Sequence, residues 1–175
     1  LEHIAGQPTL QSKLQALAGK MRQALTLRID PQLTDKIAEA GTIYWAGRND
    51  GVGEELTLKT NEITRKSADF LEGTYAAHGV EEVMNADDVI IWIDPFEDQE
   101  EKFEQVLAKG VGLTIIAIAC RPTRFDTIQI PDAGDLNGYV QMAAGWNLLV
   151  EVGTHLGINL DKPQRARKVG NEFVG

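Results

Sequence analysis

The sequence contains a single cysteine, Cys120, among its 175 residues, so an internal disulfide bond is excluded. Cys120 ends an apolar run that begins at Leu113, and we expect a buried, structural thiol there. A chain without a disulfide framework is typical of a reducing compartment, so we expect a cytoplasmic protein.

Long apolar runs are also missing: none approaches the roughly 20 residues that a membrane-spanning helix needs, so no membrane partner is expected. The first residues, Leu1, Glu2 and His3, lack the basic start and apolar block of a signal peptide. There is no initiator methionine, which indicates a chain trimmed from a longer one.

Positive charge is scarce, with 17 Lys and Arg against 26 Asp and Glu and a formal net charge of −9. Nucleic-acid backbones are bound by clustered cations, so DNA and RNA are excluded as expected partners. A small phosphate remains possible, because it needs only a few local donors. The histidines His3, His78 and His155 are too scattered to have the spacing of metal ligands, so no metal site is expected.

The apolar pattern alternates between helices and strands. The clearest strands are predicted at Val89–Ile93 and at residues 113–119, because runs that are apolar on both faces are typical of parallel sheets. An amphipathic helix is predicted over residues 10–25 and a long apolar helix over residues 138–156. Further elements are expected at residues 30–40 (helix), 42–46 (strand), 54–68 (helix), 99–109 (helix) and 127–130 (strand).

Strands that alternate with helices predict an α/β domain, a three-layer αβα sandwich around a parallel sheet of about five strands. We expect one domain over residues 10–160, an N-terminal segment over residues 1–9 and a tail over residues 161–175. The helix over residues 99–109 begins in an acidic cluster, which is expected to be solvated and to complement the helix dipole. The acids of that cluster are Glu97, Asp98, Glu100 and Glu101.

Ligands of parallel sheets bind beyond the carboxyl ends of the strands, which directs attention to the glycine-rich turn at residues 47–53. Backbone N–H groups at such a strand-to-helix turn attract anions, and Arg48 beside Gly47 could add a bidentate donor. The turn matches neither the dinucleotide nor the P-loop pattern, and Asp50 would repel a phosphate. A plain turn that joins the strand tightly to the helix is an equal alternative.

Lys59 and Glu62 are three residues apart, which places both on one face of the predicted helix. A carboxylate beside an ammonium can act as base and electrostatic stabiliser when a proton is removed next to a carbonyl. The alternative is a surface ion pair that contributes a few tenths of a kcal/mol.

His78 lies in a predicted loop, where an imidazole can shuttle the proton that opens a sugar ring; the alternative is a ring that caps a helix end. The tail forms a positive patch on an acidic protein, and the alternative there is a solvated, charge-balancing tail. Its cations are Lys162, Arg165, Arg167 and Lys168.

Three segments, taken in order along the chain, resemble sugar isomerase (SIS) domains. They are the helix segment at residues 58–64, the Ala-Ala-His-Gly segment at residues 76–79 and the tail with Asp161 and Pro163. The likeness covers residues 10–168. It is greatest to the second SIS domain in the isomerase half of glutamine–fructose-6-phosphate amidotransferase, and it extends to aldose–ketose phosphate isomerases and fructosamine-phosphate deglycases. The resemblance implies a flavodoxin-like SIS fold.

The resemblance also implies roles for single residues. Glu62 matches the base that moves a proton between C1 and C2 of the sugar, with Lys59 as its partner in the site. His78 matches the histidine that assists ring opening, which the amidotransferase contributes across a dimer interface. Lys168 matches the tail lysine that closes over the substrate. The implied substrate is a sugar phosphate of the fructose 6-phosphate or glucosamine 6-phosphate type, and no cofactor is implied.

Three departures from the family pattern limit what one copy can do. Val80 stands where proline is usual after His-Gly, and Asn61 stands where the amidotransferase has a basic residue. No Ser/Thr-rich phosphate loop like that of a first SIS domain is present. We therefore expect a half-site that pairs with an N-terminal SIS domain or with a second copy. The alternatives are a non-catalytic module that senses a sugar phosphate and a structural domain that dimerises through the helix at residues 138–156.

Overall fold

The computed structural model describes residues 9–165, and the side chains of residues 11–165. The helices are α1 (Thr9–Leu25), α2 (Pro31–Glu39), α3 (Val52–Thr64), α4 (Glu100–Phe103) and α5 (Asn137–His155). The strands are β1 (Ile43–Gly47), β2 (Ala68–Glu72), β3 (Val89–Ile93), β4 (Thr114–Ala119) and β5 (Asp126–Gln129). Short 3₁₀ turns lie at Tyr75–Ala77, Val80–Val83, Glu97–Gln99 and Gly134–Leu136.

The five strands form one parallel sheet in the order β2-β1-β3-β4-β5. This is the flavodoxin-like order, in which the strand sequence reverses between β1 and β3. The predicted α/β class, parallel sheet and strand number are confirmed. Of the helix and strand boundaries predicted from the sequence, most agree with the structure to within one residue.

Successive strand residues face opposite sides of the sheet, and each side has its own core. Trp45 and Ile91 belong to the first core, which α1, α2, α3 and α5 cover. Tyr44 and Trp92 belong to the second core, which contains Phe103 of α4. The rings of Trp92 and Phe103 stack with centroids 3.7 Å apart. The sheet is therefore the middle layer of the predicted three-layer sandwich.

The edge strand β2 was not expected from the sequence. The helix predicted over residues 54–68 ends earlier, at Thr64, and Arg65 closes it in the left-handed conformation with φ of 58°. In β2 only Leu71 is buried, because this strand has a neighbour on one side alone. Its Asp69 and Glu72 disfavour a strand locally, so pairing with β1 decides the conformation.

The helix predicted over residues 99–109 changes geometry along its length. After α4 the chain continues as a π-helix over Glu104–Val111, and Gly112 ends it with φ of 91°. Cys120, expected to be buried, is partly exposed because it follows the end of β4. Among the described residues, no helix is both long and apolar enough to cross a bilayer.

Candidate functional site

Helix α3 carries the predicted pair Lys59 and Glu62 on its outer face. Its inner face is held by Leu56 and Thr60, which are fully buried. The Thr60 hydroxyl oxygen accepts a hydrogen bond of 2.7 Å from Nε1 of Trp45 in β1. Because this contact ties the helix to the sheet, Lys59 and Glu62 are directed outwards.

The ammonium of Lys59 lies between two carboxylates. Its Nζ is 2.7 Å from Oε2 of Glu62 and 3.6 Å from Oε1 of Glu55. The hydrogen bond that it donates to Glu62 is the main cause of a raised pKa of Lys59; partial burial opposes the shift, and the charges of Glu62 and Glu55 add to it. The side chain of Glu62 is 52% exposed. The helix therefore presents an accessible carboxylate beside a lasting positive charge.

The start of the tail reaches the same end of α3. Nη2 of Arg65 donates a hydrogen bond of 3.3 Å to the backbone oxygen of Lys162. Next to this contact is an open cavity of about 510 Å³. It is lined by Arg65, Leu156, Gly157, Ile158, Asn159, Lys162, Pro163 and Gln164. The predicted residue Lys168 lies outside the described residues.

His78 lies in a different part of the molecule, after the 3₁₀ turn Tyr75–Ala77. Its backbone N–H donates to the oxygen of Tyr75 at 3.0 Å, which closes the turn. The side chain is exposed, and its Nε2 is 3.1 Å from Nζ of Lys102 in α4. The buried residues Ala76 and Ala77 hold this segment against the second core.

One chain does not bring Glu62 and His78 together. Glu62 is in the last turn of α3, where Oδ1 of Asn61 accepts a hydrogen bond from the N–H of Ala68 at the start of β2. Strand β2 then runs along the edge of the sheet from its amino end to its carboxyl end, and His78 comes after that carboxyl end. Helix α3 covers the first core and the His78 segment packs on the second. The two side chains thus lie on opposite faces of the sheet and towards opposite ends.

Glu62 lies near the amino end of β2, away from the carboxyl edge that contains the glycine-rich turn at residues 47–53. A site that uses both Glu62 and His78 must therefore take them from two different domains or chains.

Gly47 and Arg48 do lie at the carboxyl edge, where the strand order reverses. Nε of Arg48 is 3.2 Å from Oδ2 of Asp94, and its guanidinium is 4.6 Å from the centroid of the Phe96 ring. Gly47 is buried, and a Cβ on it would be 3.4 Å from Ile93. The Asp94 carboxylate and the Phe96 ring thus already contact the Arg48 guanidinium.

The same edge contains an ion pair that the sequence analysis missed. Glu100 was expected to be solvated, but its side chain is 5% exposed, and its Oε1 lies 2.6 Å from Nη2 of Arg121. The contact between Oε1 of Glu100 and Arg121 is ionic rather than a well-aligned hydrogen bond. The other carboxylate oxygen of Glu100, Oε2, accepts a hydrogen bond of 2.9 Å from the backbone N–H of Arg124. Arg121 follows Cys120 just after the end of strand β4, and no local pattern in the sequence indicates that it pairs with Glu100. The expectation of solvation is therefore wrong for Glu100.

Within residues 9–165, no cluster of three or more His, Cys, Asp or Glu side chains is arranged to hold a metal ion.

No protein-family model and no curated protein sequence matches the chain. Several solved structures do match the chain. A proposed phosphosugar isomerase from Clostridium difficile is 24% identical with a TM-score of 0.67, and the match covers 99% of this chain and 50% of that one. The C-terminal domain of glucosamine-fructose-6-phosphate aminotransferase from Francisella tularensis is 17% identical with a TM-score of 0.65, over 83% of this chain and 45% of that one.

A third structure is of similar size to this chain. It is a proposed phosphosugar isomerase involved in capsule formation from Bacteroides fragilis, 16% identical with a TM-score of 0.65, and the match covers 87% of this chain and 94% of that one. The chain thus spans about half of the first two structures and nearly all of the third. At these identities the likeness establishes the fold, which is the sugar isomerase fold that the sequence resemblance implies.

Proposed function

We propose that the chain is an SIS domain that supplies half of a phosphosugar site. It would serve an isomerase, an isomerising aminotransferase or a deglycase that acts on a ketose or amino-sugar 6-phosphate. The observation that carries the proposal is the exposed Lys59–Glu62 pair, with Nζ and Oε2 2.7 Å apart, on a fold shared with phosphosugar isomerases.

The pair has the parts that aldose–ketose isomerisation needs. Glu62 takes the proton from the carbon next to the sugar carbonyl and returns it to the neighbouring carbon. The ammonium of Lys59 stabilises the negative charge that forms on the enediolate oxygens in between. A lysine already carries its positive charge throughout the neutral range, and the hydrogen bond to Glu62 raises the pKa of Lys59 further.

His78 completes the site from a neighbouring copy. Each copy offers a Glu62 face and, on the other side of the sheet, a His78 face, so two copies can each supply what the other site lacks. The exposed imidazole of His78 would then assist the opening of the sugar ring before the proton transfer at Glu62.

The phosphate requires further donors. Lys162 and Arg165 begin the basic tail next to the end of α3, and Lys168 continues it. A paired SIS domain would supply the Ser/Thr-rich loop that this chain lacks. The tail lysine Lys168 would then close over the bound sugar, while Gly47 and Arg48, which lie at the carboxyl edge, would contribute to the pocket together with His78 from the neighbouring copy.

The variant Glu62→Gln tests the proposal. It keeps the size of the side chain and removes the base, so turnover of fructose 6-phosphate or glucosamine 6-phosphate should fall by roughly 10²- to 10⁴-fold, the usual contribution of a positioned base. The melting temperature should change little, because the Glu62 side chain is exposed and a surface ion pair contributes only a few tenths of a kcal/mol. Glu55→Gln is the matched control: it is the same change on the same helix face and should leave turnover near that of the wild type.

Other outcomes separate the alternatives. The proposal is contradicted if turnover by Glu62→Gln stays within twofold of the wild type. A twofold change corresponds to only about 0.4 kcal/mol in the activation free energy. Calorimetric binding of these sugar phosphates with no turnover in the wild-type protein favours a sensor module instead. Absence of binding favours a structural dimerisation domain.

A further inference from the structure

We propose that Lys102 is a positioning residue for His78 and that it sets which nitrogen of the His78 ring carries the proton. The role of His78 in this statement rests on the proposed function. The contact itself does not: Nζ of Lys102 lies 3.1 Å from Nε2 of His78, joining α4 to the segment that follows β2.

The donor inventory of the two side chains decides the tautomer. A lysine ammonium has three donors and no acceptor. Nε2 of His78 must therefore accept the hydrogen bond from Lys102, and a neutral imidazole whose Nε2 accepts has its proton on Nδ1. The hydrogen bond made by one ring nitrogen thus selects the protonation state of the other.

Both ends of the contact are held by buried neighbours. Lys102 precedes Phe103, which is fully buried and stacked on Trp92. His78 follows Ala76 and Ala77, which pack in the same core. The two backbones therefore keep their separation, although the side chains of Lys102 and His78 are themselves at the surface.

Within the part of the chain that the structure describes, Lys102 is the only cation in contact with the His78 ring. The carboxylate of Glu81 accepts the backbone N–H of Gly79 at 2.5 Å, so it is engaged beside the histidine. Among the described contacts, Lys102 is the one side chain that binds the His78 ring. Nδ1 is then the nitrogen that remains for a ligand, and it presents an N–H donor.

This arrangement fixes what His78 can offer a sugar. An N–H donor at Nδ1 can hydrogen-bond the ring oxygen, the atom that gains negative charge when the ring opens. Without Lys102 the proton is free to move to Nε2, and Nδ1 would then present a lone pair to that oxygen. Lys102 acts through His78 and need not touch the substrate.

Nitrogen-15 NMR of the ring nitrogens in the full chain, without substrate, tests the inference. We expect a protonated Nδ1 and an unprotonated Nε2 for His78 in the wild type. Lys102→Met should remove this preference, and Lys102→Arg should keep it because arginine also has donors only. Lys109→Met is the matched control, since Nζ of Lys109 pairs with Glu104 at 3.0 Å instead. His155 provides an internal reference signal.

Kinetics test the functional part. Lys102→Met should lower kcat by about ten- to a hundredfold with little change in KM, a share of the roughly 10²–10⁴ that a positioned acid or base contributes. Lys102→Arg should restore most of that loss. Any one of three results would overturn the inference. They are a wild-type His78 with its proton on Nε2, a His78 tautomer that is unchanged in Lys102→Met, and unchanged turnover in Lys102→Met.

The test of the Lys102 contact can fail or succeed independently of the test of the proposed function. Glu62→Gln should abolish turnover and leave the tautomer of His78 as it is in the wild type, because the contact of Nε2 with Lys102 does not involve Glu62. If the tautomer is as expected and Glu62→Gln remains fully active, the proposed function fails while the Lys102 contact stands.

Discussion

At the scale of single residues, the chemistry depends on the charges around Lys59. Its ammonium is 2.7 Å from Glu62 and 3.6 Å from Glu55, so the two carboxylates act on it unequally. A raised lysine pKa stabilises the folded chain at every pH below the ordinary value of 10.5 and loses that contribution as the pH rises through the folded value. Lys59 therefore gives no pH dependence to stability near neutrality.

We predict that Glu62→Gln lowers the pKa of Lys59, because the amide that replaces the carboxylate is neutral and its hydrogen bond with the ammonium is weaker. Glu55→Gln should lower it less, since that carboxylate is farther away. An NMR pH titration of the lysine side chains measures both shifts. An unchanged Lys59 in Glu62→Gln, or a larger shift in Glu55→Gln, would contradict the geometry of the pair.

Some residues of the site could be predicted from the sequence and others could not. The three-residue spacing of Lys59 and Glu62 predicts their contact, because helical neighbours meet at that spacing. The buried position of Glu100 could not be predicted, since it depends on Arg121 and on the loop that carries Arg124, which are more than 20 residues away. Local charge patterns do not report such pairings.

At the scale of elements, the packing of α3 against α5 holds the outer face of α3 in place. Gly145 of α5 makes this close approach possible: a Cβ there would lie 2.5 Å from Cδ1 and Cδ2 of Leu56. Because Leu56 is fully buried, it has little room to move. The orientation of Lys59 and Glu62 thus depends on a small residue one helix away.

We predict that Gly145→Ala destabilises the chain by about 1–3 kcal/mol, the usual cost of forcing extra volume into a packed core. Gly19→Ala is the control: Gly19 also lies inside a helix, but a Cβ there meets nothing within 4 Å. That change should stabilise by about 0.5–1 kcal/mol, because alanine favours a helix interior. Denaturant unfolding measures both, and equal stabilities of the two variants would contradict the packing described for α5.

The elements themselves were predictable to different degrees. Strand β3 is apolar throughout and β4 is apolar after its first residue, Thr114, so their sequences indicate buried parallel strands directly. Strand β2 has one buried residue, Leu71, and was not predicted, because its conformation comes from pairing with β1 rather than from its own pattern. The π-helix at Glu104–Val111 likewise leaves no clear sequence signal.

At the scale of the whole molecule, the two-faced arrangement is the central feature. The sheet separates the Glu62 face from the His78 face, and each face has its own hydrophobic core. Under the proposed function, one copy therefore carries two incomplete sites rather than one complete site. In a two-fold dimer each of the two equal sites would take Glu62 from one copy and His78 from the other.

Mixing two inactive variants tests this claim most directly. Glu62→Gln and His78→Asn should each be inactive alone. A mixed dimer has one site with both changes and one site with the wild-type Glu62 and His78. Random exchange of subunits should therefore restore about one quarter of wild-type turnover. No recovery on mixing, in dimers shown to contain both variants, would contradict a site shared between copies.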